Sequence, residues 1–373
     1  MANISNIEKI IIPTEPIGSI PRPDDLIAAQ RNYRDGKINF NHLNDYYKRA
    51  IQITIEEMEA TGSPVVTDGE QTKPSFLTYP ISTLLNEYYT FTPDCLSIQF
   101  ADGHQRIVPC LTKAPFRYAV YAHSYIDVAK RITQLPIKQA VITPSALSML
   151  YPKATIQGYS HEQFLNDLIV ESEKDIRRCL ESGVHCVQLD FTEARFSLKI
   201  DPTGQLLRDF VQLNNRVLDR FGSQEQQRLG VHVCPGGDQD STHSLEIDYL
   251  EVLPTLFELH VGNFYLQLAS EPNRDRVLAC IRKYMKPWHR IFVGVINPID
   301  PIVETPEQVC ARVLEAVKYI PVEQLGTTDD CGFSPFCDDQ STSRQIAFDK
   351  IRARVQGTHL AEEQLMRAKQ EKI

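Results

Sequence analysis

Short apolar runs rich in β-branched residues recur along the chain. Between them, apolar positions step by three and four residues with charges on the opposite face. The first pattern suits a strand buried on both sides in a parallel sheet, and the second gives a helix one apolar stripe. The runs are Lys9 to Ile12, Pro64 to Thr67, Gln139 to Thr143, Cys186 to Asp190, Leu229 to Val233, Phe264 to Leu268, Ile291 to Ile296 and Gln324 to Thr327. Eight strands alternating with helices predict an α/β fold closed as a (β/α)8 barrel. Glu162 to Ser182 and Thr305 to Tyr319 are expected outer helices. Pro306 falls in the first turn of the second, where its missing N–H leaves no bond unmade.

Two segments break the alternation. Residues 89–110 read as two strand-like halves around Asp102-Gly103, a favoured hairpin turn, and are expected to form an insertion after the second βα unit. Residues 358–373 are polar and helix-prone without an apolar stripe, which suits a helical tail available to a neighbouring subunit in a homo-oligomer. With no internal repeat or linker, residues 1–373 are expected to form a single barrel domain.

Composition narrows the function. Hydrophobic residues make up 42% of the chain and charged residues 23%, a balance that buries a substantial core. A net charge of −9 argues against nucleic acid, whose phosphates need a basic footprint, and favours small-molecule substrates. The start has no basic segment followed by an apolar stretch and a cleavage site, and no apolar run is long enough to span a membrane, so a cytoplasmic protein with no membrane partner is expected. Nine cysteines, an odd number, suggest thiols rather than a disulfide framework. Cys179, Cys186, Cys280 and Cys310 read as small buried hydrophobes.

Barrel enzymes carry their chemistry where the strands end. The second run ends in Asp68-Gly69-Glu70, the fourth in Asp190, the fifth in His232-Val233-Cys234, the seventh in Asn297 and the eighth in Asp329-Asp330-Cys331. His232 and Cys234, two apart on a strand, put both side chains on one face. Alone, that pair is a weak signal and reads first as a core histidine beside a buried thiol. Pro235-Gly236-Gly237 closes the strand, and Cys331, also followed by glycine, brings a second sulfur to the same barrel mouth. Three nitrogen and sulfur donors with a position left open are the ligand set of a catalytic zinc.

The segments Pro16-Ile17-Gly18-Ser19-Ile20-Pro21, Thr67-Asp68-Gly69-Glu70, Val187-Gln188-Leu189-Asp190, His232-Val233-Cys234 and Asp330-Cys331-Gly332 resemble, in the same order, motifs of the catalytic half of cobalamin-independent methionine synthase, over about residues 8 to 357. The resemblance implies that His232, Cys234 and Cys331 bind zinc. It also implies that Ile17, Gly18, Ser19, Glu70 and Asp190 hold the amino-acid part of homocysteine, whose zinc-bound sulfur is alkylated. Glu70 could instead cap a helix, and Asp190 could be a satisfied strand-end carboxylate. Asp329 and Asp330 suit support of the metal ligands or the capping of a turn. Glu193 and Arg195 suit a structural ion pair.

The family pattern departs at two places. Its fourth zinc ligand is a glutamate where this chain has Gln267, a poorer donor; Glu271 and Glu258 are alternatives after a register shift, and His243 is expected to be solvated. Its proton-handling histidine corresponds to Ile299, close to Asn297, and Asp330 and Asn297 remain as candidate catalytic residues. The expected activity is a zinc-dependent thiol alkyltransfer with homocysteine or a related thiol as acceptor. A small-molecule alkyl donor or a methylcorrinoid protein supplies the alkyl group. An epoxide–thiol transferase, a barrel lyase working through Glu70, Asp190 and Glu193, and a non-catalytic zinc-binding paralogue are the rival readings.

Overall fold

A computed structural model describes residues 9–371; residues 1–8 and 372–373 lie outside the described residues. Its centre is a parallel sheet of six strands: β1 (Lys138–Ile142), β2 (Cys186–Asp190), β3 (Leu229–Val233), β4 (Asn263–Leu266), β5 (Arg290–Ile296) and β6 (Leu325–Asp329). They follow one another in space as in sequence, which is how successive right-handed βα crossovers lay strands down. Every residue of β1, β2, β3 and β6 is buried, as their unbroken apolar character predicts.

The first two expected strands are reduced to single parallel bridges, Thr14 with Thr327 of β6 and Val66 with Ile137 just before β1. The pairing residue is Thr14, so the run Lys9 to Ile12 lies outside the ladder. Pro13, Pro16 and Pro64 explain this, because each lacks the N–H a ladder needs. What remains still closes the barrel. Glu15 N–H donates to Thr327 O (3.0 Å), Lys138 N–H to Val66 O (2.9 Å), and Ile20 N–H to Gly69 O (3.0 Å), which joins the two bridging segments. The (β/α)8 architecture is therefore present as six strands and two short extended links.

The helices His161–Glu181 and Pro306–Ala316 form where expected, each opened by a capping box, from Ser160 with Gln163 and from Thr305 with Gln308. The hairpin also forms: Ser97–Gln99 pairs antiparallel with Gln105–Ile107, Ile98 opposite Arg106. It folds down onto the loop after β3. Ala101 N–H donates to Thr242 O (2.9 Å), and Arg106 holds both Asp238 (2.6 Å) and Asp338 (2.9 Å).

Residues 358–370 belong to one long helix that spans Arg344–Gln370. Thr358 and Ala361 are buried, and Glu362 accepts from Ile12 N–H (2.6 Å), while Glu363, Gln364 and residues 367–370 stay exposed. Among the expected core cysteines, Cys179, Cys186 and Cys310 are buried, while Cys280 is partly exposed. No helix among the described residues is long and apolar enough to cross a membrane.

Candidate functional site

His232 is the fourth residue of β3 and Cys234 immediately follows the strand; Cys331 lies two residues beyond β6. Barrel closure brings them together. The Sγ atoms of Cys234 and Cys331 are 3.3 Å apart, and one ligand atom from each of the three residues lies within 4.8 Å of the others. Two thiolates on one tetrahedral zinc at about 2.3 Å stand roughly 3.8 Å apart, so a small outward turn of one side chain admits the ion. His232 is buried with both ring nitrogens lacking a hydrogen-bond partner. An unmet buried polar group costs about 1–3 kcal/mol, which a bound cation would offset at one nitrogen. The donor set and this orphaned imidazole fit zinc.

The thiols are already unequal. The contact between the two thiols, helped by His232, holds Cys331 well below the usual thiol value; the same contact, with burial, pushes Cys234 up. Glycines give the loops room. A Cβ on Gly332 would lie 2.1 Å from Ser19 Oγ, and one on Gly236 would lie 1.8 Å from His243 Nε2. Gly236 also has φ +72°, the left-handed region. Gly236→Ala is therefore expected to cost about 2 kcal/mol or more of folding stability, from backbone conformation plus overpacking, and to weaken zinc binding by displacing Cys234. Urea unfolding and a zinc competition titration check this.

A cavity of about 220 Å³ opens beside the cluster, and Ile17, Ser19, Glu70, Asp190, His232 and Cys331 all contribute to its wall. Gly18, between Ile17 and Ser19, is not on that wall; its carbonyl accepts from Thr67 Oγ1 (2.8 Å). Asp190 pairs in register with His232 across β2 and β3, and it accepts from Gln188 Nε2 (2.8 Å). Burial pushes its carboxyl up to about 6, with nearby His232 opposing the rise.

Glu70 sits at φ +56° in a turn rather than at a helix start, its N–H bound by Asp68 (2.9 Å). Its carboxylate accepts from Lys73 Nζ (2.8 Å), a fully buried ammonium that also donates to Ala140 O (2.9 Å) and lies 4.5 Å from the Tyr79 ring centre. Burial works to lower the Lys73 pKa, but Glu70 and Asp68 outweigh it and raise it. Sequence reasoning missed Lys73, although a lysine three residues after a strand-end glutamate was the available signal.

Several expected roles change. The oxygen of Gln267 accepts from Arg195 (3.1 Å) and its nitrogen donates to Ser270 (2.6 Å), so the amide is engaged by protein partners. Glu271 pairs with Arg195 (2.6 Å), and Glu258 is exposed. Glu193 and Arg195 do not pair with each other: Arg195 reaches Glu271, while Glu193 accepts from Thr143 (2.6 Å) and Ser145 (2.5 Å). Asp330 is a loop cap. Its two oxygens accept the N–H groups of Leu268, Ala269 and Ser270 at 2.7–2.8 Å, locking the segment where β4 gives out. Asn297 turns its side chain to its own loop, accepting from Ile299 N–H (3.3 Å).

Asp329 is bound by the buried guanidinium of Arg354, which anchors the end of β6 next to Cys331. His243 is buried between the edges of Phe100 and Phe196, not solvated, and burial pushes its pKa down to about 4. Ile299 approaches Gly237 beside Cys331 and offers no proton.

A (β/α)8 barrel with a His/Cys/Cys cluster at its strand ends and two acids on the adjoining cavity has the layout of a barrel enzyme's active site. The family model described as the catalytic domain of cobalamin-independent synthase matches residues 12–355, and the chain belongs to that family. The methionine synthase of Sulfurisphaera tokodaii is 24% identical over 95% of this chain and 94% of its own length. That of Pyrococcus horikoshii is 22% identical over 97% and 96%. The structure of a B12-independent methionine synthase from Shewanella sp. W3-18-1, in complex with selenomethionine, shares the fold with a TM-score of 0.71. Its sequence identity is 18%, over 95% of this chain and 99% of that one.

Proposed function

We propose that this chain is a single-domain, zinc-dependent methyltransferase that places a methyl group on the sulfur of homocysteine or a related amino-acid thiol. One observation carries the reading. His232, Cys234 and Cys331 meet at the strand ends with the imidazole nitrogens unpartnered, and His232 and Cys331 share the wall of one cavity with Glu70 and Asp190. Zinc held by these three would leave a fourth position for the acceptor sulfur and keep it deprotonated near neutral pH. The names of the full-length relatives support homocysteine as the acceptor.

The chain's own groups do the rest. Glu70 and Asp190 face an ammonium group with charge-assisted bonds, which select an amino acid and aim its thiol. Lys73 holds the Glu70 carboxylate in place, and Asp330 holds the Leu268–Ser270 loop that packs beside the cluster. Zinc, homocysteine and a panel of methyl donors including methylcobalamin, followed by mass-spectrometric detection of methionine, test the reading. Failure to form an S-methyl product with any thiol overturns it. Asp190→Asn is expected to raise the acceptor KM about 10- to 100-fold with a smaller change in kcat, the loss of one charge-assisted bond. Steady-state kinetics with homocysteine check it.

A further inference from the structure

Glu193 stands apart from the groups used so far. It begins the helix Glu193–Ile200 three residues after Asp190, is buried, and contributes to the wall of the cavity that holds His232 and Cys331. Its Oε1 is fixed by two hydroxyls, Thr143 (2.6 Å) and Ser145 (2.5 Å). Ser145 is itself fixed by Asn214, which both donates to its hydroxyl (2.9 Å) and accepts from its N–H (3.0 Å). Oε2 is buried and has no hydrogen-bond partner. A carboxyl built this way has one oxygen held by two hydroxyls and the other buried without a hydrogen-bond partner, which favours a proton on Oε2.

The surroundings agree. The other titratable groups on the same cavity are Asp190, Glu70 paired with Lys73, His232, His243 and Cys331; Arg106 is committed to Asp238 and Asp338. Met149, Phe196 and Phe100 make part of the same wall apolar. No cation is paired with Glu193 among the described residues. Burial, with Asp190 adding to it, pushes the Glu193 carboxyl up to about 7, against the hydroxyl bonds that pull it down. A group poised there is half acid and half base at neutral pH, the range where proton transfer is most effective.

We propose that Glu193 is the proton donor to the departing half of the alkyl donor, acting from Oε2 in the cavity beside Cys331. This rests on the reading of the chain as a thiol methyltransferase. The acceptor thiol gives up its proton on binding. Its sulfur then forms a bond to the methyl carbon, the bond from that carbon to the leaving atom breaks with its electron pair going to the leaving atom, and Glu193 protonates that atom. Glu193 is reprotonated from solvent, so the sum is thiol plus methyl donor giving thioether plus protonated leaving group. The donor class follows: a methyl on a nitrogen or oxygen whose departing atom is basic, carried on an apolar body.

The full-length zinc-loaded protein and E193Q are compared with two donors. One is 5-methyltetrahydrofolate, whose departing nitrogen must gain a proton; the other is trimethylsulfonium, whose departing sulfide is neutral. E193Q is expected to slow the first transfer about 10²- to 10³-fold and leave the second within about 3-fold. The wild-type rate with the first donor should fall as pH rises through about 7, a limb that E193Q lacks. Infrared difference spectra of the wild type between about pH 5.5 and about pH 8.5 should show a protonated-carboxyl band that E193Q removes, a readout independent of turnover.

Equal slowing with both donors, a wild type that uses only trimethylsulfonium, or no such band in the folded wild type overturns the assignment. A wild type that alkylates no thiol from any donor, with the band intact, instead overturns the methyltransferase reading on which the assignment rests.

Discussion

Cys234→Ser is expected to abolish methyl transfer, by about 10³-fold or more, and to reduce zinc retained through gel filtration from about one ion per chain to near zero. Serine keeps the size and the strand-end position but offers a hydroxyl that stays protonated where a thiol ionises, so the site loses a negative donor and its affinity together. Cys234 is fully buried, and its partner sulfur is 3.3 Å away. The substitution therefore leaves folding largely intact, which circular dichroism should show. Elemental analysis and methionine formation measured on the same preparation check the expectation. Full activity in a zinc-free Cys234→Ser protein would remove the metal from the chemistry.

Lys73→Met should act through both stability and binding. The Lys73 ammonium is completely buried, bound to Glu70 at 2.8 Å and to Ala140 O at 2.9 Å. Removing one member of a buried ion pair strands the other and costs about 3–5 kcal/mol. Glu70 would also lose the ammonium that fixes its carboxylate, so it would no longer be held toward an acceptor's ammonium. A lower urea midpoint and a higher homocysteine KM are thus expected together. The double variant Glu70→Gln, Lys73→Met should recover much of the stability and none of the binding, because the buried charge is gone while the recognition is not restored. Denaturation and steady-state kinetics on the three variants separate the two effects.

Much of this site was legible before folding was known. His232 and Cys234 announce a shared face by their spacing of two, and Cys331 joins them because a closed eightfold barrel gathers every strand end at one mouth. Residues 97–107 pair as the Asp102-Gly103 turn signal predicts. The first two strands were overread because apolar composition shows where a segment is buried, while the prolines inside and beside it decide whether it can join a ladder.

Gln267 and Asp330 show the other limit. Sequence places both near the His232, Cys234 and Cys331 cluster, but which atoms their polar groups answer depends on Arg195 and on the backbone of Leu268–Ser270, brought close only by packing.

The sequence by itself determined the alternation of buried strands and amphipathic helices, the soft ligand set and the acids at the strand ends, since periodicity and donor chemistry are local properties. Only the tertiary structure decided that Lys73 secures Glu70, that Arg354 anchors Asp329, and that one oxygen of Glu193 is left without a partner. The energy of a buried charge is set by neighbours distant along the chain, and no reading of spacing along a single chain supplies them.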